Sequence, residues 1–397
     1  MVLDILRENF IRLLSGTQTD FYRYFADRID LSGKMTGIVG PRGVGKTTFM
    51  LQYLKEVDLP IEKKLYFSAD SVEISDTTLL QIAKDFEAVG GKLLAIDEIH
   101  KYPHFERELK NIYDLLDIRL IFSGSSALQL EKSEADLSRR AALYRVEGLS
   151  YREFLEMKTK EQFPLFTLED ILKNHLQIAL ELSGRFKPLE FWDEYLRSGY
   201  YPFYFENPAL YTHALERVVN TVIEVDLPSI YAIRYDNIIN LKRLVKLICR
   251  SDPYKINISE LSRKTGIDRE TLYRYLDYLD KGSIFTILRS KTRGDAIFTK
   301  PEKLYLHNTN LHYAYCDEPK TGTVRETFLI SQLRVDHRVA YPPKGDLIVD
   351  DRWTIEIGGK KKGFRQIDGI ENSYVAADGI VAGSGNKIPL WMFGFLY

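Results

Sequence analysis

The sequence predicts an α/β protein whose first domain is a parallel sheet covered by helices, followed by helical and mixed units. Three observations carry this. Five short apolar segments alternate with helical patterns through the first ~160 residues, the rhythm of a parallel sheet with crossover helices. A glycine-rich turn, Gly40-Pro41-Arg42-Gly43-Val44-Gly45-Lys46-Thr47, joins the first of these segments to a helix. Beyond residue 150 the alternation stops, and aromatic helices take over.

Taken in order, residues 1–34 present Phe10, Leu13, Leu14, Phe21, Tyr24 and Phe25 as helical packing material. Candidate strands are Thr36–Val39, Lys64–Ser68, Leu93–Ile96, Arg119–Ser123 and Leu143–Val146, with helical patterns such as Thr47–Glu56 and Glu106–Leu116 between them. Runs this continuously apolar suit strands buried on both faces. Residues 150–248 carry Tyr151, Phe154, Phe163, Phe166, Phe191, Trp192 and Tyr195, interrupted at Gly199-Tyr200-Tyr201-Pro202. The expected division is a helical segment 1–34, a sheet-and-helix core 35–157, a helical lid region 158–248, a winged helix 249–313 and a C-terminal domain 314–397.

With 397 residues the chain is long enough for two to four domains, and 45% hydrophobic with 28% charged residues excludes global disorder. A net charge of −1 excludes a whole-chain basic field for nucleic acid or anionic membrane. No apolar run approaches the ~20 residues of a membrane span, and the first residues lack a signal peptide's charged head. Cys249 and Cys316 give no disulfide framework and are expected as free buried thiols. A cytoplasmic protein with no membrane partner is expected.

The Gly40–Thr48 turn fits the phosphate-binding loop G-x-x-x-x-G-K-[ST] in its required context, after a strand and opening a helix. Its glycines let successive N–H groups face inward around phosphate oxygens, and the new helix adds its positive end. The expected nucleotide-binding residues are Gly40, Pro41, Arg42, Gly43, Val44, Gly45, Lys46, Thr47 and Thr48, for ATP with Mg²⁺. Lys46 neutralises terminal phosphates and the Thr47 hydroxyl is a hard oxygen ligand for Mg²⁺. Hydrolysis needs a second strand that delivers acids, and Leu93-Leu94-Ala95-Ile96-Asp97-Glu98 supplies one. Asp97 is expected to hold Mg²⁺ through water and Glu98 to polarise the attacking water. Ser123, or Ser125 in its place, is a candidate to sense the terminal phosphate. Arg139 and Arg140 are alternatives for stabilising charge on the transferring group.

These segments resemble a family of prokaryotic AAA-type ATPases that carry a C-terminal domain of unknown function. The matching stretches are GIVGPRGVGKTT, LLAIDEIHKYPHFERELKNIYD, IFSGSSA, LSRRA and YRVEGLSYREFLE, and YLRSGYYPFYFE is similar to the family's Gly-Gly-aromatic-Pro element, with Ser198-Gly199 in place of the double glycine. The resemblance implies an AAA-like P-loop NTPase core and ATP as nucleotide. It implies Lys46 and Thr47 on phosphate and Mg²⁺, Asp97 supporting Mg²⁺, Glu98 as catalytic base and Ser123 at the sensor position. Because the family has glycine then arginine where this chain has Arg139 then Arg140, it favours Arg140 as the catalytic arginine.

In the third unit, Asn257-Ile258-Ser259-Glu260 starts a helix ending at Gly266, and Asp268 caps a second helix with Leu272, Leu276 and Leu279 on one face. With Ile284–Leu288, a basic loop (Lys291, Arg293) and Lys303–Leu306, this reads as a winged helix-turn-helix. Arg269, Tyr273 and Arg274 are its candidate DNA-contacting residues. Residues 255–293 hold nine Lys/Arg against five Asp/Glu, a modest net +4, and winged helices also serve as protein-contact modules.

The C-terminal unit is similar to an α/β restriction-endonuclease-type fold, in which a helix Glu, an Asp and a Glu-x-Lys converge on one metal. The matching residues are Glu326, Asp346 and Glu356. Gly358 stands where the active pattern needs lysine, and Lys360 is the substitute that reaches back. The expectation is a degenerate site that keeps a packing or binding role. His307, His312 and Cys316 are expected as structural residues. Two functions follow: an ATPase that switches the position of its C-terminal domains, or a DNA-binding or DNA-processing protein with ATP in a regulatory or structural role.

Overall fold

The structure is a computed structural model that describes residues 2–125, 137, 139–231, 233, 235–249, 254–255, 258–290 and 301–397. It divides into two units, Met1–Glu147 with Val225–Ala232, and Gly148–Glu224 with Ile233–Tyr397.

In the first unit, helix α1 (Val2–Gly16) precedes β1 (Met35–Gly40), α2 (Lys46–Glu56), β2 (Lys64–Ser68), α3 (Leu79–Ala88), β3 (Leu93–Asp97), α4 (Phe105–Leu115), β4 (Arg119–Ser125) and β5 (Ala142–Arg145). All five expected strands form, in one parallel sheet of order β2-β3-β4-β1-β5. Their apolar runs have the predicted cause. Leu93, Leu94, Ala95 and Ile96 of β3 are fully buried, because helices cover both faces of a parallel sheet. Leu65, Phe67, Leu94, Ile96, Leu120 and Phe122 pack with Ile82 and Phe86 of α3 and Leu109 and Ile112 of α4. Leu6 of α1 joins that core, Phe10 and Phe25 are buried, and Leu13 faces solvent.

The register decides where chemistry can sit. Ser68 pairs with Asp97, Ile38 with Ser123 and Gly40 with Ser125, so β1, β2, β3 and β4 finish along one edge. Placing β4 between β3 and β1 puts its serines between the Asp97 acid and the phosphate loop. β1 tolerates this crowding only through Gly37, where a Cβ would stand 2.5 Å from both Leu143 Cδ2 and Phe122 Cζ.

The second unit contains α5 (Tyr151–Thr159), α6 (Leu168–Ser183), α7 (Trp192–Ser198), α8 (Tyr211–Thr221) and α9 (Tyr235–Cys249). Capping boxes at Ser150/Glu153 and Thr167/Asp170 start α5 and α6. β6 (Tyr254–Lys255), α10 (Ile258–Thr265), α11 (Arg269–Lys281), β7 (Phe285–Arg289) and β8 (Pro301–Leu306) follow. The two helices turn at Gly266 (φ 72°), Asp268 caps α11, and Leu272, Leu276 and Leu279 are buried as the spacing requires. β8 pairs antiparallel with β6 and β7. The basic loop with Lys291 and Arg293, and the expected cap Asn257, lie outside the described residues.

Helices α12 (Thr309–Tyr315) and α13 (Thr321–Leu333) lead to a five-stranded mixed sheet of β9 (Val339–Ala340), β10 (Leu347–Val349), β11 (Trp353–Gly358), β12 (Ser373–Ala377) and β13 (Lys387–Pro389). Asn310 ties the unit together: its amide donates to the Tyr195 and Leu196 carbonyls, and its carbonyl accepts the Tyr200 N–H and Tyr211 hydroxyl. The Gly199-Tyr200 turn is thereby fixed. His312 is a satisfied core residue, bonded to Thr327 Oγ1 at 2.9 Å with its imidazole pulled down to about 4 by burial. Cys316 is disulfide-bonded, so the expectation of a free thiol there is corrected. Among the described residues no helix is long and apolar enough to cross a membrane.

Gly37→Ala is expected to cost about 1–3 kcal/mol, the scale of overpacking a filled core, read as a lower urea midpoint of the first unit.

Candidate functional site

The Gly40–Thr48 loop is shaped by backbone conformations that side chains resist. Gly43 (φ 84°) and Gly45 (φ 98°) are left-handed, and a Cβ on Gly40 would stand 2.2 Å from the Val146 carbonyl oxygen. Pro41 and Val44 are buried, which anchors the loop, while Thr47 and Thr48 are exposed at the start of α2. Arg23 fastens it from behind, donating from a buried guanidinium to the carbonyls of Val44 and Glu147. Gly45 provides no side-chain cap, so the first amides of α2 keep their positive end for an anion. Lys46 Nζ donates to the Gly40 and Pro41 carbonyls at 2.9 Å each. Burial lowers its pKa, against the pull of Glu98 and Asp97.

Asp97, at 3% exposure, is the centre of the site. Its Oδ2 accepts the Thr47 hydroxyl at 2.6 Å and the Tyr66 hydroxyl at 2.8 Å. Its Oδ1 accepts the Ser123 hydroxyl and, at 3.0 Å, the Glu98 N–H. Burial and the Asp97 charge push the Tyr66 hydroxyl pKa up, so it stays a donor. Ser123 is turned inward onto Asp97, and Ser125 donates its N–H to His100 Nδ1 at 3.3 Å. Glu98 is left-handed (φ 50°), and its carboxylate lies beside Arg42 and His100. Thr47 and Asp97 fit Mg²⁺, which takes one or two protein oxygens and completes its shell with phosphate and water. Among the described residues no three His, Cys, Asp or Glu gather to hold a metal by themselves.

Four participants escaped the sequence reading. Tyr66 looked like core in an apolar strand, Arg23 carried no motif, and His100 sat inside the family segment without a role. Asp226 lies 125 positions after Lys101, yet belongs to the first unit. It is 1% exposed, ion-pairs with Lys101 and with Arg42 Nη1 at 3.8 Å, and lies 3.7 Å from His100 Nε2. The same Arg42 and His100 reach Glu98, at 4.0 Å and 3.4 Å. Only packing brings a lone acid from a helical stretch to this edge.

The structure sets Arg140 apart from the phosphate loop of its own chain. Arg140 forms a bidentate pair with Asp114, at 2.9 and 3.1 Å, and leans on the Tyr113 ring. It precedes β5, whose first residue pairs with Thr36, so it sits at the amino-terminal edge of the sheet. At about 3.3 Å per residue the loop's edge is roughly 15–20 Å away.

In the second unit, the expected Glu326, Asp346 and Glu356 do approach one another, held by lysines. Lys303 Nζ lies 3.2 Å from Glu326 and 3.6 Å from Asp346, and Tyr305 donates to Glu326. Lys362 ion-pairs with Glu356 Oε1, and both Glu356 oxygens are buried without a hydrogen-bond partner. Lys360, the expected substitute, is exposed and accepts Lys387 at its carbonyl. Lys362 replaces it: a Cβ on Gly358 would meet the Lys362 side chain at 2.6–2.7 Å, so its stem fills the space the glycine leaves. On α11, Arg269, Tyr273 and Arg274 are exposed.

Burial raises the pKa of Glu356, with Lys362 opposing and the neighbouring Asp346 charge adding to the rise. A carboxyl whose folded pKa exceeds its unfolded one favours folding below the unfolded value, and that contribution is lost as pH rises through the folded pKa. Glu356→Gln is therefore expected to raise the unfolding temperature of the second unit at pH 8, by roughly 2–4 °C per kcal/mol gained. The gain should shrink toward pH 4 in thermal unfolding scans.

Comparison with known proteins bears on both units. Residues 32–155 match the family model of an AAA domain, and residues 189–319 match that of a domain of unknown function, DUF8612. An uncharacterized protein of Methanocaldococcus jannaschii is 25% identical over 384 residues, covering 88% of this chain and 81% of its own. Among solved structures, the Saccharomyces cerevisiae Hsp104–ADP complex (15% identical, TM-score 0.27) overlaps 70% of this chain, which spans 39% of that one. AMPPCP-bound DnaA from Aquifex aeolicus (15% identical, TM-score 0.27) overlaps 70% of this chain and 88% of its own. The first unit thus joins an AAA-domain sequence match to the five-stranded parallel sheet and phosphate loop of a P-loop NTPase core.

Proposed function

We propose that the chain binds Mg-ATP at Gly40–Thr48 and hydrolyses it. One observation carries the reading: the Thr47–Asp97 hydroxyl–carboxylate pair, at 2.6 Å beside the loop, stands next to a second acid, Glu98. A binding loop alone needs no such second acid. Magnesium, when bound, supplies positive charge to the terminal phosphates. Lys46 exchanges its carbonyl partners for phosphate oxygens, and Thr47 and Asp97 are the residues that would hold the metal. Ser123 and Tyr66 act on Asp97, keeping its oxygens aimed. Glu98 takes the proton of the attacking water as the water oxygen bonds to the γ-phosphorus. The bond to the β–γ bridging oxygen breaks, leaving ADP and inorganic phosphate. Adenine as the base rests on the family resemblance. The second unit, joined to the core by three chain crossings, is the recipient of the resulting switch.

Mg-ATP at about 100 times its dissociation constant should stabilise the first unit by ~2.7 kcal/mol in a thermal-shift assay. Lys46→Ala should abolish that shift. Glu98→Gln should keep it while lowering turnover about 10²–10⁴-fold. A wild-type chain with no shift and no turnover removes the reading.

The exposure of Arg269, Tyr273 and Arg274 along α11 supports a second reading, in which α10, α11 and β6–β8 form a winged helix that contacts DNA. Retention on DNA should fall steeply with salt and weaken in the Arg269→Ala/Arg274→Ala variant. Retention that ignores both ends this reading.

A further inference from the structure

We propose that Asp226 is a positioning residue for Glu98, holding Arg42 so that its guanidinium does not capture the hydrolytic carboxylate. The proposal rests on the hydrolytic reading above and names a further residue for the same reaction.

The geometry is a shared set of partners. Arg42 Nη1 lies 3.8 Å from Asp226 Oδ2 and 4.0 Å from Glu98 Oε1. His100 stands between the same two acids, with Nε2 3.7 Å from Asp226 Oδ1 and Nδ1 3.4 Å from Glu98 Oε2. Its Nδ1 also accepts the Ser125 N–H, so the ring carries its proton on the side facing Asp226 when neutral. Lys101 completes the set on Asp226 alone. With Asp226 present, the Arg42 guanidinium has two acids to divide between. Without it, Arg42 has only Glu98, which is then drawn into an ion pair and away from the water it must deprotonate.

A purely stabilising role does not account for this placement. Asp226 is 1% exposed, and its Oδ2 has no hydrogen bond, while a well-packed apolar side chain would avoid that desolvation. Burial pushes its carboxyl up, but the His100 and Lys101 contacts bring it below the usual carboxylate range, so the charge is kept. The charge also reaches the phosphate loop: Lys46 feels Asp226 along with Glu98 and Asp97. Asp226 arrives on Val225–Ala232, a stretch of the first unit inserted between two parts of the second, at the end of a π-helical turn, Val222–Asp226. Such turns recur at functional sites.

The test separates rate from binding. In Asp226→Asn the dissociation constant for Mg-ATP should stay within about 3-fold of wild type, while the single-turnover rate falls roughly 10–100-fold, the loss expected when a positioned base is disturbed. Asp226→Glu should recover part of the rate, and also serves if the Asn variant fails to fold by thermal unfolding. Because Asp226 acts through Glu98, Asp226→Asn on a Glu98→Gln background should slow turnover no further. The proposal is overturned if Asp226→Asn turns over at the wild-type rate, if rate and affinity fall together, or if the effect persists undiminished on Glu98→Gln. A wild-type chain that binds Mg-ATP and never hydrolyses it removes the hydrolytic reading itself, and is recognised without any Asp226 variant.

Discussion

Parallel strands that finish at a common edge are the constraint on which the first unit depends. Each strand's last residue leaves the ladder there, with backbone and side chains turned toward whatever lies beyond the sheet. Because β4 lies between β3 and β1, Asp97 and the loop after Gly40 are one strand apart, with Ser123 and Ser125 in the gap. That spacing lets Thr47, opening α2, reach Asp97 directly. The buried helices and apolar strands matter to function mainly by fixing this edge.

At the edge, polar groups are taken out of water and therefore have to satisfy one another. Asp97 does so fully, accepting from Thr47, Tyr66, Ser123 and the Glu98 amide. Glu98 does not share those donors. Its left-handed backbone sends the carboxylate toward Arg42 and His100, a looser set at ion-pair distance. Two adjacent acids thereby acquire different surroundings, one locked and one adjustable, the difference on which the proposed division of roles between them rests.

The second unit shows the same chemistry arranged to the opposite effect. Glu326, Asp346 and Glu356 come together, but Lys303 and Lys362 stand against them and absorb the charge a metal would otherwise answer. The absent side chain at Gly358 is what admits Lys362 from beyond the strand. A sequence pattern shows that a lysine is missing from its usual position, whereas only the folded turn shows which lysine fills the space.

The sequence by itself determined the core: five apolar runs, the loop from Gly40 to Thr48, and the Asp97-Glu98 pair were all legible, because hydrophobic period, glycine spacing and strand-end acids are local signals. Ser123 was legible as a position, though its hydroxyl turned out to serve Asp97. Tertiary structure alone decided the rest. Arg140 stood beside a strand in the sequence, and the direction of that parallel strand put it at the edge opposite the loop of its own chain. Asp226 had no motif at all, and its place beside Arg42 follows from long-range packing that brings a late segment back to the first unit. Local pattern identifies what a residue can do, while the path of the chain decides which residues meet.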